Sequence, residues 1–572
     1  MLQIKNLTIS HKKDLRTILE NFSFVLNPGD KAVIIGEEGN GKSTLLKWIA
    51  DPESIEDYAE AEGSCTYRGE KLGYLPQELS ASDKEKTIYE YFCEEPLFWE
   101  QTPKTLGRLA GELHLPADCF YSEQLMGTLS GGEKVKVQMA RLLISAPTIL
   151  LLDEPSNDID IEILEWLEQM IATIPQAVLY ISHDETLIER TANVVIHIEQ
   201  IRRKTISRYT VARMSYEEYI THRNARLQNQ EQQALTEQRQ EKIRQEKFQR
   251  MQQQVEHSLR GVSRQEPHVG QLLKKKMKAV KSMEKRYERE GAERTQMPET
   301  EDAIFMKFGE DIHVPAGKTV LNLTIDQLRA PVSKSEPDIY TGQPDSSIEK
   351  MKLDLSAEQL SFPTGKAVLD LSMNQQHISA ASPEEGRILA ENIALQVRGS
   401  EKICIVGSNG AGKTTLIRHI AAELLARKDI RAAYMPQNYE ELLDMDITPV
   451  EYLSVTGDKE EQTRIRTYLG SMKYTQEEMN RPIRELSGGQ KAKVFLLQLS
   501  MSGAEVLILD EPTRNFSPLS NPVIREVLSA YGGAILSISH DRKYIREVCQ
   551  KVYRLTGQGL EDVTELYSPR EM

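Results

Sequence analysis

The sequence predicts an α/β protein in which two similar domains with parallel sheets are joined by a long antiparallel α-helical hairpin. A set of short motifs occurs twice along the 572 residues, in the same order. Near-continuous apolar runs precede these motifs, which is typical of strands buried on both faces of a parallel sheet. Between the two copies, residues 214–259 contain neither Gly nor Pro, which favours a single long helix. The predicted domains are residues 1–205, a linker at 206–300, and residues 301–572.

The composition excludes several classes of protein. No run approaches the roughly 18 consecutive apolar residues of a membrane-spanning helix, and MLQIKNLTIS lacks the pattern of a signal peptide. The five cysteines are scattered without a CxxC pair, which disfavours zinc and iron–sulfur sites and predicts a cytoplasmic location. The net charge is -15, yet residues 201–300 hold 23 Lys and Arg against 13 Asp and Glu. This asymmetry predicts that the linker faces a polyanion.

The first repeated motif is a phosphate-binding loop. GEEGNGKST at 36–44 and GSNGAGKTT at 407–415 both match G-x-x-x-x-G-K-[ST] and follow the apolar runs 31–35 and 403–406. Glycines let backbone N–H groups surround phosphate oxygens, the lysine reaches the β and γ phosphates, and the next hydroxyl is suited to Mg²⁺. The predicted nucleotide-binding residues are Gly36, Gly39, Gly41, Lys42, Ser43, Thr44, Gly407, Gly410, Gly412, Lys413, Thr414 and Thr415.

Carboxylates and a histidine follow the phosphate loops at matched spacing. In both copies the Leu of an LSGG sequence lies 24 residues before an Asp, and that Asp lies 30 residues before a His. The Asp residues, Asp153 and Asp510, end apolar strands and are predicted to hold Mg²⁺. We expect the next residues, Glu154 and Glu511, to polarise the attacking water and the histidines, His183 and His540, to contact it and the γ-phosphate.

Two glutamines have a more open interpretation. Gln77 in YLPQ and Gln437 in YMPQ lie between the phosphate loop and LSGG, where they would contact nucleotide and metal. The alternative is a simple turn after the preceding proline, and the residues alone favour neither.

The linker sequence predicts a hairpin. A helix over residues 214–259 would extend about 65–70 Å. Gly261, Pro267 and Gly270 break it, and a returning helix with an apolar stripe follows, which predicts a tip at about 261–270. A charged helix that merely spaces two domains is the alternative, but the positive charge is concentrated at and just after the tip.

Taken in order and twice, these motifs resemble those of ATP-binding-cassette (ABC) proteins. Two cassettes, a charged helical linker and no transmembrane segment resemble the ABC-F family of ribosome-binding ATPases. The resemblance implies ATP and Mg²⁺ as cofactors, and cassettes that close head to tail within one monomer. Ser130, Gly131 and Gly132 would then complete the site built on Lys413. Ser487, Gly488 and Gly489 would complete the site built on Lys42.

The resemblance also implies a partner, the 70S ribosome, and neither a membrane nor DNA. The linker would enter the E site and point its tip toward the P-site tRNA and the peptidyl-transferase centre of 23S rRNA. Basic side chains there would neutralise phosphates or stack on bases. The predicted RNA-binding residues are Arg260, Arg264, His268, Lys274, Lys275, Lys276, Lys278 and Lys281.

The sequence departs from the family pattern after each DEP triplet. The family usually has T-N-H-L-D, whereas residues 156–160 read SNDID and residues 513–517 read TRNFS. We therefore expect two unequal ATP sites. The family normally has an adenine-stacking aromatic before each phosphate loop. The first copy offers only His11 near that position, and Phe362 is the candidate in the second copy. We assign no function to the polar insertion at about 331–386.

The motifs most resemble the antibiotic-resistance branch of the family, which protects ribosomes from drugs acting at the peptidyl-transferase centre. A housekeeping translation factor acting on stalled or initiating ribosomes is the nearest alternative. A DNA-maintenance ATPase and a transporter ATPase subunit are more distant alternatives. The sequence shows neither the very long coils nor the zinc cysteines typical of the former, and the basic hairpin would have no use in the latter.

Overall fold

The computed structural model describes residues 1–260 except 14, 68, 202 and 203, together with 275–278, 282, 308–309, 312–330 and 387–567. The first domain contains a six-stranded sheet of order β5-β6-β7-β3-β8-β9, parallel except for β9, and a three-stranded antiparallel sheet of order β2-β1-β4. Its strands are β1 Leu2–His11, β2 Thr17–Leu26, β3 Lys31–Ile35, β4 Ala59–Thr66, β5 Leu72–Leu75, β6 Ile149–Asp153, β7 Ala177–Ile181, β8 Val194–Ile201 and β9 Ile206–Ala212.

Among the residues described here, seven α-helices cover these sheets and an eighth leaves the domain. They are α1 Lys42–Ala50, α2 Ala81–Lys84, α3 Ile88–Cys93, α4 Pro103–Glu112, α5 Gly131–Ile144, α6 Ile161–Thr173, α7 Glu185–Thr191 and α8 Tyr216–Arg260.

The second domain repeats the large sheet in the order β13-β14-β15-β12-β16-β17 and adds an antiparallel pair, β10 and β11. Its strands are β10 Thr319–Arg329, β11 Ile388–Arg398, β12 Lys402–Val406, β13 Ala432–Met435, β14 Val506–Asp510, β15 Ala534–Ile538, β16 Lys551–Thr556 and β17 Gly559–Asp562. Its α-helices are α9 Lys413–Ala426, α10 Pro449–Leu453, α11 Lys459–Ser471, α12 Gln476–Met479, α13 Gly488–Met501, α14 Asn521–Ser529, α15 Arg542–Val548 and α16 Thr564–Tyr567.

The apolar runs of the sequence form the centre of each large sheet. Every residue of β3, β6 and β7 is buried, as is every residue of β12, β14 and β15. Each sheet separates two apolar cores, because alternate side chains of these strands point to opposite faces. The predicted α/β class and the buried parallel strands are confirmed. Both phosphate loops and both DEP triplets lie at the carboxyl ends of these strands, where open α/β sheets bind ligands.

The helix predicted over residues 214–259 is present as α8, which is 45 residues long. Its first turns contact the first domain, where the Tyr219 hydroxyl lies 2.8 Å from Nδ1 of His197 and Arg223 donates to Glu199 at 3.1 Å. Residues 275–278 are also helical. The predicted tip, most of the returning helix and the insertion at 331–386 lie outside the described residues.

Strands β10 and β11 flank that insertion, and their ends are joined by a hydrogen bond from the Ala330 N–H to the Arg387 carbonyl of 2.9 Å. Within the part of the chain that the structure describes, no helix combines the length and apolar character needed to cross a bilayer.

Candidate ATP sites

The two phosphate loops have the same local geometry. The Lys42 ammonium donates to the carbonyls of Gly36 and Glu37 at 2.9 and 3.1 Å. Lys413 donates to the carbonyls of Gly407 and Ser408 at 2.7 and 3.0 Å. Each ammonium is therefore held over its own loop, with α1 or α9 starting at that lysine and directing its N-terminus into the loop.

The glycine before each of these lysines is required by its surroundings. Gly41 has a φ of 80°, and a Cβ there would lie 2.0 Å from Cγ2 of Ile18. Gly412 has a φ of 97°, and a Cβ there would lie 2.9 Å from Cδ1 of Leu389. Aliphatic side chains thus cover both loops. The stacking candidate His11 ends β1, with its ring 6.5 Å from that of Tyr58, and Phe362 lies outside the described residues.

The predicted metal ligands lie together in the first domain. The Ser43 hydroxyl donates to Oδ1 of Asp153 at 2.9 Å, and the Asp153 side chain is buried at the end of β6. A hydroxyl beside a carboxylate is the kind of hard oxygen pair that suits Mg²⁺. In the second domain Thr414 is the second residue of α9, and it lines one cavity together with Asp510. Burial disfavours the charged carboxylates and raises the pKa of Asp153 and of Asp510 to about 6. A bound cation would stabilise the charged form.

Glu154 and His183 form an ion pair in the first domain. Glu154 has a φ of 51° and Glu511 a φ of 56°, so both DEP glutamates adopt the left-handed backbone conformation that is uncommon for residues other than glycine. Oε1 of Glu154 is 3.3 Å from Nε2 of His183, and Oε2 accepts from Gln77 at 2.9 Å and from Asn157 at 2.5 Å. Burial opposes this charge, but His183 outweighs it and holds the pKa of Glu154 at about 2.

Glu511 lies in a different environment. The residue equivalent to Asn157 is Arg514, whose guanidinium pairs with Asp158 of the first domain at 2.7 Å. The described contact to Oε2 of Glu511 is the backbone N–H of His540 at 3.2 Å. Burial, and next the charge of Asp510, raise the pKa of Glu511 to about 8, whereas burial and Lys413 lower that of His540 to about 3. Nε2 of His540 lies 3.5 Å from Oε1 of Glu511, much as His183 lies beside Glu154, but here burial disfavours the charged form of both partners.

One LSGG motif faces the phosphate loop of the other domain across a cavity of about 600 Å³. Ser130 caps α5, so that the N-terminus of that helix opens onto the cavity. The first domain contributes Ser130, Gly131, Asn157 and Asp158, and the second contributes Gly410, Gly412, Lys413, Thr414, Thr415, Gln437, Asp510, Glu511, Arg514 and His540. Gly132 packs behind this surface against α6, since a Cβ there would overlap Ile163.

The other LSGG motif faces the loop of the first domain at much shorter range. Ser487 caps α13, and the N–H of Gly489 contacts the carboxylate of Glu38. A Cβ on Gly488 would lie 3.4 Å from the same carboxylate. The residues predicted to form each composite site are thus brought together in pairs across the domain interface, and the two sites differ in how closely they are drawn.

Segments 156–160 and 513–517, which we call the first and second crossing loops, also contact the opposite domain. The Asn409 backbone N–H donates to Oδ2 of Asp160 at 3.2 Å, and the Asn409 amide donates to the Asp158 carbonyl at 2.6 Å. The Phe516 carbonyl lies 2.8 Å from Nδ1 of His183. The first crossing loop therefore contacts the phosphate loop of the second domain, and the second crossing loop contacts His183 of the first domain.

Sequence analysis did not identify the partners of these loops. Glu37, Glu38 and Lys493 occupy variable positions of their motifs, so their side chains carried no signal of their own. Arg514 stood out only as a departure from the family pattern. Of the predicted RNA-binding residues, Lys275, Lys276 and Lys278 are exposed on a helical segment, and Arg260 ends α8. The others, Arg264, His268, Lys274 and Lys281, lie outside the described residues.

Comparisons with known proteins agree with this architecture. Residues 19–157 and 390–514 match the ABC transporter family. The probable ATP-binding protein YheS of Escherichia coli K12 is 24% identical over 96% of this chain and 78% of its own length. The ribosome protection protein VmlR of Bacillus subtilis is 26% identical over 98% and 88% of the two chains. ATP-binding cassette sub-family F member 3 of Pongo abelii is 24% identical over 98% and 72%.

A solved structure shares the twin-domain fold. The crystal structure of the complex of archaeal ribosomal stalk protein aP1 and archaeal ribosome recycling factor aABCE1 aligns with a TM-score of 0.53 at 16% identity, covering 98% of this chain and 90% of that one. Two ATP-binding cassettes in one chain, with both motif sets placed at facing sites, establish an ATP-binding enzyme that hydrolyses ATP. The chain therefore carries two ATP-binding cassettes of the ABC class, and its homologues include an ABC sub-family F protein.

Proposed function

We propose that this ATPase binds the 70S ribosome and protects it from antibiotics that act at the peptidyl-transferase centre. Its linker would pass through the E site and remodel the P-site tRNA and the drug site. The observation that carries the proposal is the alignment with the ribosome protection protein VmlR, which spans both ATPase domains and the linker of this chain. The cytoplasm is the compartment in which such a protein would act.

The linker geometry supports this proposal. At about 1.5 Å per residue, α8 extends roughly 68 Å, so most of it projects beyond the domain that holds its base. Tyr219 and Arg223 fix that base in the first domain through buried contacts. Lys275, Lys276 and Lys278, farther along the linker, present exposed ammonium groups suited to RNA phosphates.

The ATP sites would supply the driving force. Lys42 and Lys413 would bind the phosphates, and the LSGG helix of the opposite domain would complete each site and exclude water as the domains close. Mg²⁺, when bound near Asp153 or Asp510, would neutralise charge on the phosphates. Glu154 and Glu511 would orient the attacking water and accept its proton. Hydrolysis would then release the domains and the linker.

The test is expression in a drug-sensitive strain. We expect wild-type protein to raise the minimal inhibitory concentration of at least one of the lincosamides, pleuromutilins and streptogramin A. The triple variant Lys275→Gln, Lys276→Gln, Lys278→Gln should lose this effect while keeping ATP hydrolysis, because only linker charge is removed. The matched control neutralises three exposed lysines of the ATPase domains instead, Lys5, Lys104 and Lys459, and should protect like the wild type.

Two outcomes would contradict the proposal. Unchanged inhibitory concentrations for all three drug classes, with protein that still pellets with 70S particles in a non-hydrolysable ATP analogue, would favour the housekeeping translation factor. Failure to pellet with ribosomes under any nucleotide condition, together with DNA binding, would favour a DNA-maintenance ATPase.

A further inference from the structure

Each crossing loop contacts the phosphate loop of the opposite domain, but the acidic side chain comes from the crossing loop at one ATP site and from the phosphate loop at the other. At the site built on Lys413, which we call the second ATP site, the first crossing loop supplies the acidic side chain. Asp160 caps α6 with Oδ1, through the N–H of Ile163 at 3.1 Å, and accepts from the Asn409 N–H with Oδ2. The acidic group thus belongs to the crossing loop, and the donor belongs to the phosphate loop.

At the first ATP site, which is built on Lys42, the acidic side chain belongs to the phosphate loop. The position equivalent to Asp160 is Ser517, since Asp160 lies seven residues after Asp153 and Ser517 lies seven residues after Asp510. Its hydroxyl donates to Oε1 of Glu37 in the opposite phosphate loop at 2.6 Å, and the hydroxyl of Ser520 donates to the same oxygen at 2.5 Å. Lys493 donates to Oε2 at 2.8 Å. Both Glu37 and Lys493 are 8% exposed.

The internal repeat shows which residue of the first domain corresponds to Lys493. Lys493 lies six residues after the serine of its LSGG sequence, as Lys136 does in the first domain. Lys136 is attracted by Asp160 of its own domain and lies 5.5 Å over the Trp166 ring. The second domain has Ser517 where that aspartate would be, and Lys493 pairs instead with Glu37, across the interface.

We propose that Glu37 is a positioning residue that replaces the missing aspartate of the second crossing loop and couples closure of the first ATP site to Lys493, Ser517 and Ser520. A carboxylate in a phosphate loop would ordinarily repel ATP. Here one ammonium and two hydroxyls saturate it, so its charge is not presented to the phosphates. Burial opposes the charge, but Lys493 and the two serines hold the pKa of Glu37 at about 2, and the group is ionised at neutral pH.

The test is a charge-swap cycle in the full chain. Glu37→Ser leaves Lys493 buried without its carboxylate. Ser517→Asp places a second carboxylate beside Glu37. The swap variant with both changes recreates, at the first site, the arrangement of Lys136 and Asp160. We expect each single change to raise the ATP concentration for half-maximal closure about tenfold or more, and the swap to return it to within about threefold of the wild type.

Closure is read as energy transfer between dyes attached through noncanonical side chains at exposed positions 104 and 459, and ATP hydrolysis is measured in parallel. The matched control is Asp160→Ser, alone and with Ser408→Glu, which moves the acid in the opposite direction at the second site. Similar thermal midpoints show that the variants fold. A merely structural role would lower the midpoints without recovery in the swap.

Additive defects in the swap variant, or a Glu37→Ser variant that closes like the wild type, would overturn the proposal. If the swap variant does not fold, the pair Glu37→Gln and Lys493→Gln gives an equivalent cycle. Recovery in that neutral double variant supports the coupling, and additivity contradicts it. None of these outcomes depends on ribosome binding.

Discussion

Replacing Glu185 by Gln should weaken the association of the two ATPase domains. Glu185 begins α7 in the first domain and accepts from Arg525 of the second domain at 2.6 and 3.3 Å, and from Lys543 at 3.1 Å. The side chains of Glu185 and Arg525 are 5% and 4% exposed. The bridge is therefore a two-pronged ion pair largely removed from water, and it joins α7, which follows His183, to α14 of the second domain.

The magnitude follows from the partners that remain. Removing one member of a buried ion pair costs about 3–5 kcal/mol, because the other charge stays buried without compensation. Arg525 keeps Glu547 of its own domain at 2.7 Å, so we expect the lower end of that range, about 3 kcal/mol. That cost corresponds to a roughly hundredfold smaller equilibrium constant for domain closure.

The assay is energy transfer between the two domains, measured without nucleotide and across an ATP titration. The matched control is Glu189→Gln, one turn farther along α7. Glu189 also pairs with Lys543, but the two side chains are 32% and 25% exposed, so this pair is worth less than about 1 kcal/mol. Equal distance distributions and equal ATP dependence for the two variants would refute the assignment of closure energy to the buried bridge.

Three further predictions concern the ATP sites. The double variant Glu154→Gln, Glu511→Gln should bind ATP and stay closed, with turnover reduced about a hundredfold or more because both water-polarising carboxylates are lost; retained ATP on filters checks this, and normal turnover would contradict it. The pKa of Glu37 is about 2 against an ordinary 4.5, so its contribution to stability, roughly 3 kcal/mol, should be present above about pH 4.5 and lost as the pH falls toward 2; thermal midpoints from pH 3 to 6 should fall less for Glu37→Gln than for the wild type, and parallel curves would count against it. Gly41→Ala should destabilise the first domain more than Gly39→Ala, since both have φ near 80° but only the Cβ at 41 would overlap an isoleucine; equal melting temperatures would show that the loop adapts.

The sequence was sufficient for features that depend on local pattern. Buried strands such as β6 and β14 are predicted by short apolar runs, and α8 by the absence of helix breakers, because burial and helix continuity leave a periodic or compositional trace. The matched spacing of the motifs predicts which residues gather at the carboxyl ends of the strands. These predictions agree with the structure to within one or two residues at each end.

The differences between the two ATP sites could not be predicted from the sequence, because they depend on contacts between residues that lie far apart in the chain. Glu37 and Ser517 are separated by 480 positions, and neither residue alone indicates that a carboxylate has been exchanged between two loops. The contrast between Glu154 and Glu511 has a similar origin. Both belong to an identical DEP motif, but Asn157 donates to Glu154, whereas the equivalent residue Arg514 pairs with Asp158 of the opposite domain. The pKa of each glutamate depends on its burial and on charges that the fold brings close to it, such as His183 for Glu154 and Lys413 for Glu511.

The second crossing loop is placed to link the two ATP sites with the linker. Arg514 lies beside Glu511 of the second site, while Ser517, three residues on, contacts Glu37 of the first. The next residue, Pro518, accepts a hydrogen bond of 3.3 Å from the hydroxyl of Tyr216, at the start of α8. Because these contacts fall within five consecutive residues, the loop cannot follow one site on opening without disturbing its contacts to the other site or to the helix. Arg514 and Ser517 thus serve different ATP sites from one short segment. If the two sites open and close unequally, the contact of this segment with the start of α8 would change at each step of closure.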